Sequence, residues 1–419
     1  MNDADARWLA DTLDGAGMSA ADRFDDADVA ILYTCSVRQS AEERVMGQLG
    51  QLKSLKTRRP DMVLCVTGCM AGADQTDLRR RYPFVDLFVS PTEMDQLPSL
   101  ILAASQSQEW CAPTPANYGR RVPVSVGVTV IRGCDKYCSY CIVPYRRGPQ
   151  RSRTEQEVLD EAQSLLSRGA REIVLLGQTV DAWGRDLTPP SSLAVLLRAV
   201  AALPGLARLR FLTSHPNDFT PDLIKAVAEI PQLCEELNLP VQAGDDDLLR
   251  QMARRYTVDQ YLDLIGSIRQ AIPQIALSTD VIVGFPGESE RQFENTVKLL
   301  QQVEFDIVHV AAYSPRPGTA AARKMVDDVP PDEKKRRLQL IEALQTEIAA
   351  RKNGLLVGGE VEVLVERRHK GKWSGRTRSN KLVFFESDRN LRGEMVAVVI
   401  ESAGPWSLRG RLTPPLGSP

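Results

Sequence analysis

The sequence predicts an α/β protein in three parts: a small parallel α/β domain, a partial (β/α)6 barrel and a small antiparallel β barrel. Three observations carry this. Apolar strand-like runs alternate with helical periodicity near the N-terminus, and again on a larger scale from about Val128 onward. The last segment changes to short strands separated by Gly, Asn and Asp turns. At 419 residues the chain also exceeds what one compact core usually holds.

Taken in order, Asp3 to about Gly17 has Trp8, Leu9 and Leu13 at helix spacing, ending near Gly15 and Gly17. The strand "VAILYT", a helix from about Ala41 to Lys56, the strand "MVLCVTG", a short helix near Leu78 and the strand "LFVS" complete a first domain over 1–108. Ligand-bearing loops of such a sheet lie at the carboxyl ends of its strands, where Cys35 and Cys69 both fall. "WCAPTPANYGRRVP" reads as a linker over 109–122. Over 123–352 the strands are "VTVIRG", "EIVLLG", "RLRFLTS", "ELNLP", "STDVIVG" and "IVHVAAYS". Helical segments such as Thr154 to Ser167, Leu193 to Ala202, Thr257 to Ala271 and Glu290 to Val303 lie between them. Functional groups belong at the carboxyl edge of such a barrel. A charged helix from about Pro331 to Lys352 leads to "GEVEVLVERR", "KLVFFES" and "MVAVVIES" in a terminal β barrel over 353–415.

A net charge of -2 excludes a globally basic nucleic-acid binder but not a local basic patch. No apolar run reaches the roughly 20 residues a membrane helix needs, and a cytoplasmic protein is expected. In a reducing compartment clustered cysteines point to metal or redox chemistry and isolated ones to packing. Cys65, Cys111 and Cys234 read as non-ligands.

The cluster is "RGCDKYCSYCIVPYRRG", with Cys134, Cys138 and Cys141 spaced C-x3-C-x2-C directly after the first barrel strand. Structural zinc wants four ligands, and no fourth Cys or His is near. Three thiolates can hold a [4Fe-4S] cluster at three irons and leave the fourth open. The plainer alternative is three packed or zinc-bound cysteines. With Tyr140 before the last cysteine, the spacing resembles the radical S-adenosylmethionine superfamily. That resemblance implies that the open iron binds the methionine moiety and that one electron cleaves it to a 5′-deoxyadenosyl radical. It also implies cofactor contacts at Tyr140, at Gly177 and Gln178 in "LLGQT", and at Gly284 and Gly287 in "DVIVGFPGE".

Further stretches narrow the family: "YCSYCIVPYRRGPQRSR", "LTSHPND", "LNLPVQAGDDDLLRQMARRYT", "STDVIVGFPGE" and "YSPRPGTAA" resemble the tRNA methylthiotransferases, specifically the branch making 2-methylthio-N(6)-dimethylallyladenosine. "TCSVRQSAEERVMGQL" and "TGCMA" resemble that family's first domain, and "GRTRSNKLVFF" with "PWSLRGRL" its RNA-binding TRAM domain. The resemblance runs from Met1 to about Leu412. It implies methylthiolation at C2 of the isopentenylated adenosine just 3′ of the anticodon. Two [4Fe-4S] clusters would serve it, the triplet cluster generating the radical and an auxiliary cluster carrying the sulfur. One S-adenosylmethionine would be the radical source and a second the methyl donor. Alternatives within the family are threonylcarbamoyl adenosine or a ribosomal-protein aspartate as substrate; outside it, a non-catalytic RNA-binding remnant.

The family's first domain supplies three cluster cysteines, the first in a "GCQMN" motif. Here the chain starts "MNDADARWLADTL", aligned from the methionine of that motif, leaving Cys35 and Cys69 as the auxiliary ligands. A start codon assigned too late, substitution by Cys65, and real loss of the auxiliary cluster are the competing explanations. The resemblance implies tRNA as the partner. In "ERRHKGKWSGRTRSNK" seven Lys or Arg residues stand against one Glu. Arg367, Arg368, Lys370, Lys372, Arg376 and Arg378 are the candidate phosphate contacts, with Trp373 stacking. A solvated face is the plainer reading. Arg146 and Arg147, with Arg151 and Arg153, form a second basic run that either holds the anticodon stem or makes structural salt bridges. Asp280 is the candidate catalytic residue, and His215 is either functional or hydrogen-bonded structure. A monomer is expected, with an electron donor such as flavodoxin or ferredoxin. The sequence does not reveal which tRNAs are used or the sulfur source.

Overall fold

A computed structural model describes residues 2–34, 39–72, 75–105 and 122–413. Cys35, Cys111 and the linker, apart from Val122, lie outside the described residues. The chain forms two compact units. The first takes Met1–Arg120, Arg132–Arg151 and Arg316–Thr319; the second takes Arg121–Ile131, Ser152–Pro315 and Ala320–Pro419. The segment with the three clustered cysteines therefore belongs to the first unit, although it follows the opening barrel strand in sequence.

In the first unit, β1 (Val29–Thr34), β2 (Val63–Gly68) and β3 (Leu87–Val89) form a parallel sheet with β2 in the middle. Every residue of β2 is buried, which is why it reads as an unbroken apolar run, whereas β1 alternates. On one face α2 (Gln39–Arg58) packs Leu49, Leu52 and Leu55 against Leu64 and Val66, with Leu78 of α3 (Gln75–Arg81). Burying each such leucine stabilises by roughly 1.5–3 kcal/mol. On the other face Leu9 of α1 (Asn2–Gly15) and Ile101 of α4 (Leu97–Ala104) pack around Cys65. Burial, helped by the Asp86 carboxylate, pushes the Cys65 thiol up to about 12, as befits a core residue and not a ligand. A short helix, α5 (Val143–Arg147), follows the cysteine triplet.

The second unit carries six parallel strands in chain order. β4 (Ser125–Thr129), β5 (Glu172–Leu176) and β6 (Arg208–Leu212) form one sheet. β7 (Glu236–Asn238), β8 (Ala276–Val283) and β9 (Ile307–Ala312) form the next. A bridge from Leu209 to Leu233 joins them into the expected partial barrel. The helices between are α6 (Glu155–Ser167), α7 (Leu193–Ala201), α8 (Pro221–Glu229), α9 (Asp246–Gln251), α10 (Val258–Ala271) and α11 (Glu290–Val303). Thr154 and Thr257, which the periodicity placed inside helices, are N-caps with reciprocal capping boxes to Glu157 and Gln260. After α12 (Ala320–Lys324), the charged helix α13 runs Pro331–Gly354.

β10 (Glu360–His369), β11 (Lys372–Thr377), β12 (Leu382–Glu386), β13 (Met395–Ala403) and β14 (Leu408–Leu412) close a barrel in the order β10-β11-β12-β14-β13. All its pairings are antiparallel except β12 with β14. Two buried arginines hold it to the amino ends of β5, β6 and β7. Arg208 donates to the Arg376 carbonyl at 2.6 Å and to the Glu362 carboxylate at 2.9 Å. Arg210 bridges the Glu172 and Glu236 carboxylates, both at 2.9 Å, and donates to the Thr377 and Arg378 carbonyls. The terminal barrel thus caps the stability edge of the sheet and leaves the carboxyl edge to function.

Candidate functional site

Three cysteines on one loop of the first unit are its chemical centre. The Cys134 amide donates to the Gly148 carbonyl at 3.3 Å, and the Gln150 amide to the Asp135 carboxylate at 3.1 Å. The Cys141 amide donates to the Cys138 carbonyl at 3.0 Å, so the last two cysteines share a tight turn. Cys138 is buried, while Cys134, Cys141 and Tyr140 are half-buried. Among the described residues no three His, Cys, Asp or Glu side chains are gathered into a metal-holding group. The loop brings the three cysteines into one short segment.

The second cysteine position is the turn after β2. Thr34 fixes it, its carbonyl accepting from the Cys69 amide at 3.2 Å and its hydroxyl from the Met70 amide at 3.1 Å. The Cys69 sulfur, 1% exposed, accepts from Nε of Arg147 at 3.1 Å. Arg147 also pairs with Asp5 at 3.2 Å, and the Tyr33 hydroxyl donates to the same carboxylate oxygen at 2.8 Å. Burial first, and the Asp5 charge second, raise the Tyr33 pKa and keep its hydroxyl a donor. Asp5, Tyr33, Pro91, Met94, Arg132 and Arg147 line a small cavity here. This corrects the reading of Arg147 as an RNA contact, because its guanidinium is turned inward. Arg146 is half-buried, and its carbonyl abuts Gly72, where a β-carbon would lie 2.2 Å away.

In the second unit, Asp280 of β8 is half-buried and accepts from the Asn238 side-chain amide at 3.2 Å. Its neighbour Thr279 faces α10 through Tyr261, so Asp280 lies on the sheet face away from that helix. Gly177 sits against Ile131, where a β-carbon would come within 2.2 Å of the side chain. Gln178 is half-buried. Gly284 backs onto Lys334 of α13, and the Gly287 amide donates to Asp328 at 2.7 Å. Packing accounts for glycine at 177, and at 284 a φ of +69 joins the close contact with Lys334. His215, 5% exposed, caps the following turn by accepting from the Asn217 amide at Nδ1, which favours its structural reading. Burial pushes the Cys234 thiol up to about 11, consistent with packing.

The basic run of the terminal barrel divides. Arg367, Arg368, Lys370 and Lys372 are exposed on the β10–β11 hairpin. Trp373 is not available for stacking: it is 5% exposed in the barrel core, with its indole N–H donating to the Ser387 carbonyl. Arg378 grips Glu235 with two bonds of 2.7 and 2.8 Å and donates to the Pro231 and Leu233 carbonyls. Arg376 donates to Asn380. The structural residues that sequence reasoning missed are Arg208 and Arg210; two arginines alternating with apolar residues in a buried strand were the available signal.

Residues 128–300 match the Radical SAM superfamily, residues 1–90 the Uncharacterized protein family UPF0004, and residues 354–413 the TRAM domain. A tRNA-2-methylthio-N(6)-dimethylallyladenosine synthase of Roseiflexus sp. (strain RS-1) is 49% identical over 98% of this chain and 87% of its own length. The chain belongs to that synthase family. A second member, from Dehalococcoides mccartyi (strain ATCC BAA-2266 / KCTC 15142 / 195), is 46% identical over 98% of this chain and 96% of its own. Among solved structures, the radical S-adenosylmethionine methyltransferase TsrM of Kitasatospora setae aligns with TM-score 0.56 and 16% identity, over 75% of this chain and 66% of that one, a likeness of fold.

For the synthase family, membership of the Radical SAM superfamily implies a [4Fe-4S] cluster and S-adenosylmethionine. The donor chemistry fits: Cys134, Cys138 and Cys141 supply three thiols on one short loop, with two of them reaching solvent. Cys69 adds a buried sulfur that already accepts a charged hydrogen bond. As in the sequence reading, no helix among the described residues is long and apolar enough to cross a membrane.

Proposed function

We propose that this chain adds a methylthio group to C2 of N(6)-dimethylallyladenosine beside the anticodon of tRNA, acting in the cytoplasm. The observation that carries the reading is the placement of two cysteine sites, the triplet loop and the Cys69 turn, in one compact unit. Sulfur insertion needs both a radical source and a sulfur carrier, and two cysteine sites in one unit would meet both needs. Cys134, Cys138 and Cys141 hold the radical-generating cluster. Cys69, with Cys35, serves an auxiliary cluster. When bound, the first cluster and S-adenosylmethionine supply a radical able to take hydrogen from an unactivated ring carbon. Tyr140, Gly177, Gln178, Gly284 and Gly287 are assigned to S-adenosylmethionine from the family resemblance, and Asp280, oriented by Asn238, to the substrate base. A flavodoxin or ferredoxin supplies electrons.

Anaerobic reconstitution with iron and sulfide, followed by nucleoside mass spectrometry of isopentenylated tRNA, tests this. Wild type should give 5′-deoxyadenosine and the methylthio product. Cys138→Ala should lose both, whereas Cys69→Ala should keep 5′-deoxyadenosine and lose the product. Absence of cleavage in reduced wild type with the triplet cluster intact would overturn the reading.

The exposed hairpin supports tRNA binding through phosphate contacts. The double variant Arg367→Ala/Arg368→Ala should weaken tRNA binding roughly uniformly across sequences and lower the salt slope by about 2. Filter binding at several salt concentrations measures this. An unchanged slope would move the RNA face elsewhere.

A further inference from the structure

We propose that Ser214 and Gln242 form a hydrogen-bonding subsite for the substrate adenine, with the Gln242 side-chain amide paired to its N6–N7 edge. The inference deepens the function proposed above and rests on it. Ser214 lies in "LTSHPND", just past β6, and Gln242 in "LNLPVQAG", just past β7. The main-chain amide of Ser214 donates to the Asn238 carbonyl at 3.2 Å, and that of Gln242 to the Asp280 carbonyl at 2.9 Å. Both residues therefore sit at the carboxyl ends of neighbouring strands, beside the Asn238–Asp280 pair.

Ser214 is 4% exposed and Gln242 9% exposed. Among the described residues the Ser214 hydroxyl has no hydrogen-bond partner, and neither has the side-chain amide of Gln242. Buried polar groups in folded proteins are nearly always paired, so two unpaired ones on neighbouring strand ends point to a ligand that completes them. The backbone agrees. Thr213 and Gln242 both have φ +74. That conformation is unfavourable for a residue with a β-carbon and more so for a β-branched one, and such strain collects at binding sites.

The groups gathered here are neutral donors and acceptors around one carboxylate, which suits a nucleobase better than a phosphate. A primary amide matches adenine through two bonds, accepting from N6–H and donating to N7. N(6)-dimethylallyladenosine keeps one N6–H, and with the prenyl group turned toward N1 that hydrogen lies beside N7. Gripped by this edge, the ring leaves C2, on its opposite side, open to hydrogen abstraction. An amide on the N1 edge would instead meet the prenyl group and crowd C2. A base held in this way is unstacked from its loop, as enzymes that act on a base require. Ser214, whose hydroxyl both donates and accepts, supplies one further bond to the same nucleoside.

The test is fluorescence anisotropy of the reconstituted full chain with an anticodon stem-loop RNA carrying N(6)-dimethylallyladenosine, and with the same RNA carrying its 7-deaza analogue, which lacks the N7 acceptor. Wild type should bind the analogue about tenfold more weakly. Gln242→Ala should bind the parent RNA about tenfold more weakly and no longer distinguish the two, a coupling that a merely structural role does not produce. Ser214→Ala should weaken both RNAs by a smaller factor and keep the distinction. If Gln242→Ala does not fold, Gln242→Asn, whose shorter amide suits a positive φ, should likewise lose the distinction. The KM for S-adenosylmethionine, read from 5′-deoxyadenosine release, should stay at the wild-type value in each variant. A rise there with unchanged RNA binding assigns the subsite to S-adenosylmethionine and overturns the inference. So does an equal analogue penalty in wild type and the Gln242 variants, or no penalty in wild type; in these cases methylthio product from wild type leaves the proposed function standing. Wild type that cleaves S-adenosylmethionine but forms no product from the bound parent RNA overturns the proposed function, and this inference with it.

Discussion

Arg210→Ala is expected to destabilise the second unit by about 3–5 kcal/mol, the cost of breaking a buried ion pair from one side. Arg210 is 4% exposed, and its guanidinium serves four partners: two carboxylates, Glu172 and Glu236, and two carbonyls of the terminal barrel. Burial works against its charge, yet Glu172, Cys234 and Glu236 together hold its pKa above the usual arginine value. Removing it strands two carboxylates that are themselves 4% and 6% exposed, and leaves the carbonyls without these donors. Glu172→Gln keeps a neutral acceptor and should cost less, about 1–3 kcal/mol. Because the chain has two units, a single unfolding midpoint is not the right measure. Hydrogen exchange in peptides covering 208–212 and 372–377 reads the joint directly, and faster exchange in both is the expected result. Loss confined to one peptide, or a change under 1 kcal/mol, would mean that Arg210 does not fasten the barrel to the sheet.

That joint shows what the sequence could and could not reveal. The partial barrel was legible because short apolar-rich strands such as Glu172–Leu176 alternate with helices that carry caps such as Ser289 with Gln292. The triplet was legible because its spacing is local and cluster chemistry demands it. Charged residues were the least legible, since one letter serves both a solvated face and a buried pair. Arg378 and Arg367 belong to the same basic run, yet one grips Glu235 and the other faces water. Arg147 lies in a second such run and is spoken for by Asp5 and Cys69, residues far away in sequence. Trp373 failed for a related reason. An aromatic between basic residues suits RNA stacking, but period-two alternation in β11 points it into the barrel with Val365 and Phe385.

Gly133→Ala is expected to abolish product formation by preventing the triplet loop from closing. Gly133 has φ +73, and a β-carbon there would lie 2.0 Å from the Pro149 carbonyl oxygen and 2.6 Å from that of Gly148. Both obstacles are backbone, so no side-chain rotation relieves the clash. The strand leaving the loop must move away from the strand entering it. The first contact to go is the Cys134 amide to the Gly148 carbonyl, which pins the first cysteine beside the end of α5. Gly358 supplies the control: its φ is +83, but nothing lies within 4 Å of an added β-carbon. Gly358→Ala therefore bears only the backbone strain, of order 1–3 kcal/mol, and should reconstitute normally. If closure matters as argued, Gly133→Ala should lose about four irons per chain together with cleavage of S-adenosylmethionine, while the absorbance of any cluster at the Cys69 site remains. Full iron content with normal cleavage in Gly133→Ala would show that the loop tolerates opening, and that the three cysteines find their cluster without the backbone frame around them.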